Sequence, residues 1–197
     1  TCFFSKLHIT LNKIKLRHIC VFSTQKLMES KKNLVFLGMM GSGKSSIGLL
    51  VSKKLNKDFI DVDDEIEKKL DMKISKIFEN KGEKYFRGIE EEITLKLLKN
   101  KKSVISLGGG AFLNNKIKKE ILDKHISFWL NWEPKTLVER IQSSKKRPIA
   151  FQSSKNELMK LIKDRYLIYT NAHHKINCEN LSKSEIVSKI LELYETH

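Results

Sequence analysis

From residue 33 onward, short apolar runs alternate with longer segments in which apolar residues recur every three or four positions. The runs at 33–37, 59–61, 103–107, 126–130 and 175–178 have the length and β-branched or aromatic content of single buried strands. The segments 45–55, 85–99, 115–123, 135–142, 157–170 and 184–195 carry helical spacing, as in the pairs Ile93/Leu97 and Leu95/Leu98. Strand–helix alternation of this kind predicts an α/β fold with a parallel sheet covered on both faces. No internal repeat is present. The stretch 143–156 has no clear period and collects Ser, Lys and a Pro, which predicts an exposed, movable loop.

A chain of 197 residues fits one domain with a substantial core. It contains no run of 18 apolar residues, so no membrane partner is expected. Residues 1–27 hold five basic side chains and no acidic ones. A targeting presequence has that composition, but Met28 followed by a charged stretch and a strand also reads as an ordinary start preceded by upstream translated sequence. The second reading is favoured. Residues 1–27 are then an extra, disordered segment, 28–197 a single domain, and the location cytoplasmic; an organelle follows only if the segment is a genuine presequence. The three cysteines, Cys2, Cys20 and Cys178, are scattered and form no zinc-type pattern, which fits a reducing compartment. His8, His18, His125, His173 and His174 have no partners at metal or catalytic spacing and read as surface or core residues. The net charge of +15 is compatible with nucleic acid or with small anions. The lysines fall in pairs such as Lys53-Lys54 and Lys118-Lys119, which suit solvated faces better than one aromatic-lined groove. No nucleic-acid partner is expected.

The most specific motif is Gly38-Met39-Met40-Gly41-Ser42-Gly43-Lys44-Ser45, a G-x-x-x-x-G-K-S phosphate loop placed after a strand and opening a helix. Its amides can turn inward around phosphate oxygens at a helix N-terminus. Lys44 then reaches the β- and γ-phosphates, and the Ser45 hydroxyl ligates Mg²⁺. A dinucleotide fingerprint would need glycine where Ser46 stands. Three further clusters follow. Asp61 and Asp63 close the second strand, offering one carboxylate to a metal and the next to an acceptor, with Asp64 the preferred helix cap. Arg87 and Glu90 lie three apart on one helix face, the spacing also of an ordinary surface ion pair. Gly108-Gly109-Gly110 follows the third strand, where it permits close backbone approach to a ligand or simply makes a flexible turn.

These elements in this order, from about Lys32 to Leu193, resemble the shikimate kinases. The match extends to Phe86 before Arg87, to Arg147-Pro148, and to Arg165-Tyr166-Leu167-Ile168-Tyr169. The resemblance implies a P-loop fold related to the nucleoside monophosphate kinases, three layers α/β/α, with a five-stranded parallel sheet in the order 2-3-1-4-5 and a lid at about 143–156. It implies ATP- and Mg²⁺-dependent phosphorylation of the shikimate 3-hydroxyl, in aromatic amino-acid biosynthesis, by a monomer. By the same resemblance Gly41, Ser42, Gly43, Lys44, Ser45, Ser46 and Arg147 bind ATP, and Ser45 and Asp61 hold the metal. Lys44, Asp63 and Arg147 are catalytic, Asp63 orienting or deprotonating the attacking hydroxyl. Arg87 and Arg165 clamp the substrate carboxylate, Glu90 holds Arg87, and Gly108, Gly109 and Gly110 line the substrate. Phe78 and Phe86 are candidates for an apolar wall against the ring. Ser46, Gly88, Leu167 and Asn177 depart from the family's usual residues, and Gly88 is expected to bend or loosen its helix. A gluconate- or nucleotide-type P-loop kinase is the alternative, but it does not call for two arginines around one carboxylate. A non-catalytic P-loop protein is a further one, and it would be expected to lose Lys44, Asp63 or Arg147.

Overall fold

Four- to six-residue apolar runs can bury both faces only inside a covered sheet, and the central strands here do so. The computed structural model describes residues 32–100, 102–143 and 154–196. The N-terminal segment 1–27 and most of the expected lid, with Arg147 and Pro148, lie outside the described residues. In chain order the elements are β1 (Leu34–Leu37), α1 (Lys44–Leu55), β2 (Phe59–Asp61), α2 (Val62–Leu70), α3 (Ile74–Leu98) and β3 (Val104–Ser106). A 3-10 turn (Ala111–Leu113) follows, then α4 (Asn115–Lys124), β4 (Ile126–Asn131), α5 (Pro134–Ser143), α6 (Lys155–Tyr169), β5 (His174–Asn177) and α7 (Lys183–Glu195).

The five strands pair in the order β2-β3-β1-β4-β5, all parallel, as expected. Every residue of β1 and β3 is buried, which requires cover on both faces because successive side chains point to opposite sides. The register sets Asp61 beside Ser106, Ser106 beside Phe36, and Leu37 beside Trp129. The carboxyl ends of four strands therefore finish on one edge, with the loop after β3 between Asp61 and the loop after β1. This is where an open parallel sheet presents its ligand crevice.

Local signals explain the helix boundaries. Ser154 with Glu157, and Ser182 with Glu185, form capping boxes on α6 and α7. Asn114 caps α4 and Pro134 opens α5, where its missing N–H costs nothing. Two departures from the sequence reading stand out. α3 begins at Ile74, eleven residues earlier than expected, and is broken at Gly82 (φ 77, ψ 171) into two helical pieces. The bend expected at Gly88 is absent there: helix runs through that exposed glycine, and only Gly82 has non-helical angles within α3. Among the described residues no helix is long and apolar enough to cross a membrane.

His125 ends α4 and is buried, its Nδ1 accepting the Asn33 N–H at 3.4 Å. Burial lowers its pKa from the ordinary 6.5. A lowered folded-state value means the unfolded chain takes up the proton first, so stability held above about pH 6.5 is lost as pH falls below it. His125→Asn keeps an acceptor and cannot charge. Its urea midpoint is expected to fall less than that of the unaltered chain between about pH 7.5 and about pH 5.5; an equal fall in both chains contradicts the assignment.

Candidate active site

The loop between β1 and α1 has the backbone its glycines allow. Gly41 (φ 78) and Gly43 (φ 88) occupy left-handed conformations that a side chain disfavours by about 1–2 kcal/mol. Gly43 stands at the N-cap of α1 with no side-chain cap, and the first turn carries no acidic residue. By contrast α2, α4, α6 and α7 each have a capping side chain. The first-turn amides and positive dipole end of α1 thus remain available for an anion. Lys44 is buried, its Nζ donating to Gly38 O at 2.9 Å and Met39 O at 3.0 Å. Ser42 O accepts from Trp132 Nε1 at 2.9 Å, tying the loop to the end of β4. Gly41, Gly43, Lys44, Ser46, Asp61 and Asp63 line one cleft of about 220 Å³.

Asp61 joins two tasks. Its Oδ2 accepts from Ser45 Oγ at 2.5 Å, and its Oδ1 accepts from Asp63 N at 3.0 Å, which makes Asp61 the N-cap of α2. The cap expected at Asp64 is therefore three residues too late: the strand ends in the helix without a linker, so the last strand residue already faces the first free amides. Asp63 lies in the first turn of α2, and its Oδ1 is 2.8 Å from the point a Cβ on Gly108 would occupy.

The three glycines after β3 owe their identity to their neighbours. A Cβ on Gly108 would lie 2.6 Å from Glu90 Oε1 as well as against Asp63. One on Gly109 would meet Arg165 Nη1 at 3.3 Å, and one on Gly110 would meet Arg87 Cζ at 2.8 Å. Asp63, Arg87, Glu90 and Arg165, drawn from α2, α3 and α6, thus converge on one bare stretch of backbone. Arg87 Nη1 donates to Glu90 Oε2 at 2.6 Å. Glu90 is 3% exposed, and burial raises its pKa against the opposing pull of Arg87. Losing Arg87 would strand that carboxylate, a loss typically costing about 3–5 kcal/mol. This pair is not the ordinary surface ion pair that its spacing alone allowed. Phe86 is buried and Phe78 packs on it, ring centroids 4.5 Å apart.

Several contacts of the site escaped the sequence reading, which named Tyr166 and Tyr169 only within the Arg165–Tyr169 match. Glu83 accepts from Arg87 Nε at 3.2 Å and Nη2 at 3.1 Å, a partner that i,i+4 spacing signalled. Arg140 lays its guanidinium 3.5 Å over the centroid of the Trp132 ring, and its Cβ adjoins Gly41. Tyr166 donates to Trp132 O at 2.5 Å, and Tyr169 donates to Gly109 O. These contacts span 34 to 60 residues, so no local spacing announces them. Leu167, standing where proline is usual, is 75% exposed.

Comparisons with known proteins point to one family. A family model described as shikimate kinase matches residues 40–195. The shikimate kinase of Bacillus subtilis (strain 168) is 38% identical over 170 residues, covering 82% of this chain and 88% of its own. A solved structure of the shikimate kinase from Acinetobacter baumannii in complex with shikimate superposes with a TM-score of 0.81 at 28% identity, covering 88% of this chain and 97% of that one. A gluconokinase from Sinorhizobium meliloti 1021, at 15% identity and a TM-score of 0.56 over 84% of this chain and 93% of its own, shares the fold alone.

Two glycines of this region separate close approach from mere flexibility. Gly110→Ala forces Arg87 aside and is expected to destabilise by about 1–3 kcal/mol, the usual cost of overpacking. Gly88→Ala, with nothing within 4 Å of the new methyl, is expected to stabilise by up to about 1 kcal/mol. Thermal unfolding of both checks this, and a Gly110→Ala chain as stable as the parent contradicts the placement of Arg87.

Proposed function

The chain belongs to the shikimate kinase family and is an ATP-dependent phosphotransferase acting on shikimate; from that premise we propose a role for each residue the crevice brings together. Lys44 and the uncapped start of α1, with Ser42, Gly43 and Ser46, bind the ATP phosphates. The observation that carries the reading is the convergence of two carboxylates and two guanidiniums on Gly108–Gly110, one loop away from the phosphate loop.

Shikimate carries a carboxylate at one end of its ring and hydroxyls at the other, and the crevice has matching polarity. Arg87 and Arg165 take the carboxylate, since guanidinium offers parallel donors to a planar anion. Glu90 fixes Arg87. Asp63, at the β2 side of the glycines, accepts the proton of the attacking hydroxyl, the 3-hydroxyl in this reading. That oxygen forms a bond to the γ-phosphorus as the bond to the bridging oxygen breaks and ADP leaves with the electron pair. Arg147, outside the described residues, enters as a phosphate-facing guanidinium on its sequence match alone.

Mg²⁺ fits the donors present. Ser45 Oγ and Asp61 Oδ2 face each other across 2.5 Å, two hard oxygen ligands of the kind this ion uses together with phosphates and water. When bound it would neutralise charge on the β- and γ-phosphates. We read the protein as a monomer, because one chain supplies the phosphate loop, Asp63 and both guanidiniums. A cytoplasmic location belongs to the same reading, which the buried free thiol of Cys178 supports.

The direct test is ADP release from ATP and Mg²⁺ with and without shikimate. Asp63→Asn is expected to lower shikimate-dependent kcat by about 10²–10⁴-fold while leaving KM for ATP close to that of the parent. A kcat within about tenfold of the parent removes Asp63 from proton transfer.

A further inference from the structure

We infer that the Tyr169 hydroxyl is a positioning group for substrate recognition: it pins the Gly109–Gly110 peptide, the backbone wedge that sets the gap between Arg87 and Arg165. The inference rests on reading those arginines as the carboxylate clamp.

Consecutive α-carbons of one trans peptide lie about 3.8 Å apart. Here each of two such α-carbons supports a different guanidinium: Gly109 faces Arg165 Nη1, and Gly110 faces Arg87 Cζ. The orientation of the peptide between them therefore fixes how the two donors are presented. A planar peptide points its C=O and the following N–H in opposite directions, so holding Gly109 O also aims Gly110 N–H.

The three glycines lack side chains to hold that orientation themselves. Gly108 O accepts from Ala111 N at 3.2 Å and Gly110 O from Leu113 N at 3.0 Å, both within the turn. Gly109 O accepts instead from Tyr169, a residue 60 positions away. Tyr169 is 1% exposed, and its ring packs against Trp129 with centroids 6.0 Å apart, so the hydroxyl is delivered by a rigid body. Burial pushes the phenol up to about 12, keeping it a donor at neutral pH. Tyr169 lies one turn beyond Arg165 on α6, hence on the same face. Both reach Met39 of the phosphate loop, Arg165 Nη1 at 3.7 Å and the Tyr169 hydroxyl at 3.9 Å from its Sδ. One helix thus supplies a guanidinium of the clamp and the pin that sets its distance from the other.

Tyr169→Phe keeps the ring and removes the hydroxyl, and with it both the pin and that group's contacts with Met39 and Arg165. Its KM for shikimate is expected to rise about five- to tenfold, the worth of one buried hydrogen bond, with kcat and KM for ATP within about twofold. The preference for shikimate over its uncharged carboxamide is expected to fall by the same factor, since a misaligned clamp loses what charge and bidentate geometry gave. A merely structural tyrosine would lower the melting temperature and leave that preference intact, and this result overturns the inference. Arg87→Lys and Arg165→Lys, assayed alongside, locate the failure. If they lose the preference while Tyr169→Phe keeps it, the pin alone is wrong; if neither lysine variant loses it, the clamp itself is wrong and the pin falls with it.

Discussion

The site depends on a stretch of backbone with no side-chain volume. At Gly108 and Gly110 the space a methyl group would fill is already taken, by Glu90 and Asp63 and by Arg87, and at Gly109 it is crowded by Arg165 and the Met40 amide. Two carboxylates and two guanidiniums from three helices can approach so closely only because nothing projects between them. Charge makes the arrangement self-consistent: Glu90, almost wholly buried, is compensated by Arg87 and would be costly without it. The glycines supply room and not flexibility; their carbonyls are held at both ends by the turn and in the middle by a buried phenol.

Topology brings the phosphate side to the same place. Strand order β2-β3-β1 seats the glycine turn between Asp61 and the phosphate loop, so Ser45 with Asp61, Asp63, and the two guanidiniums share one edge without any long excursion of the chain. The α1 N-terminus is left without a capping side chain while most other helices have one, a local deficit in the free protein that a phosphate offsets when it binds. Asp61 shows how little material is used: one carboxylate caps α2, ends β2 and faces the Ser45 hydroxyl.

What the sequence disclosed follows the range of the interactions involved. The phosphate loop and the buried strands were legible because they rest on local pattern, whereas the strand order came only from the family resemblance. Strand ends shifted by a residue at most, as at Ser103 and Leu107, which border β3 without joining it. The stretch 74–84 escaped as helix because it is rich in Lys and Glu, with Gly82 breaking its period. The cap was misassigned to Asp64 because helix starts are read from sequence as if a linker preceded them. The identities of Arg87, Glu90 and Arg165 were legible, but not the reason they meet. That reason is steric and lies at three other residues. Arg140 and Trp132 were missed altogether, and Tyr169 entered only as part of the Arg165–Tyr169 match without a role, since their contacts join segments far apart in the chain.

The account stands on Arg87 and Arg165 acting on one carboxylate across the glycine turn. Calorimetric shikimate binding to the parent chain, to Arg87→Lys, to Arg165→Lys and to the double variant measures this directly. The account predicts coupling: the double variant loses less than the sum of the two single losses by about 1 kcal/mol or more, because either change already spoils the shared clamp. Additive losses to within about 0.3–0.5 kcal/mol would mean the two side chains act on different groups and would contradict it.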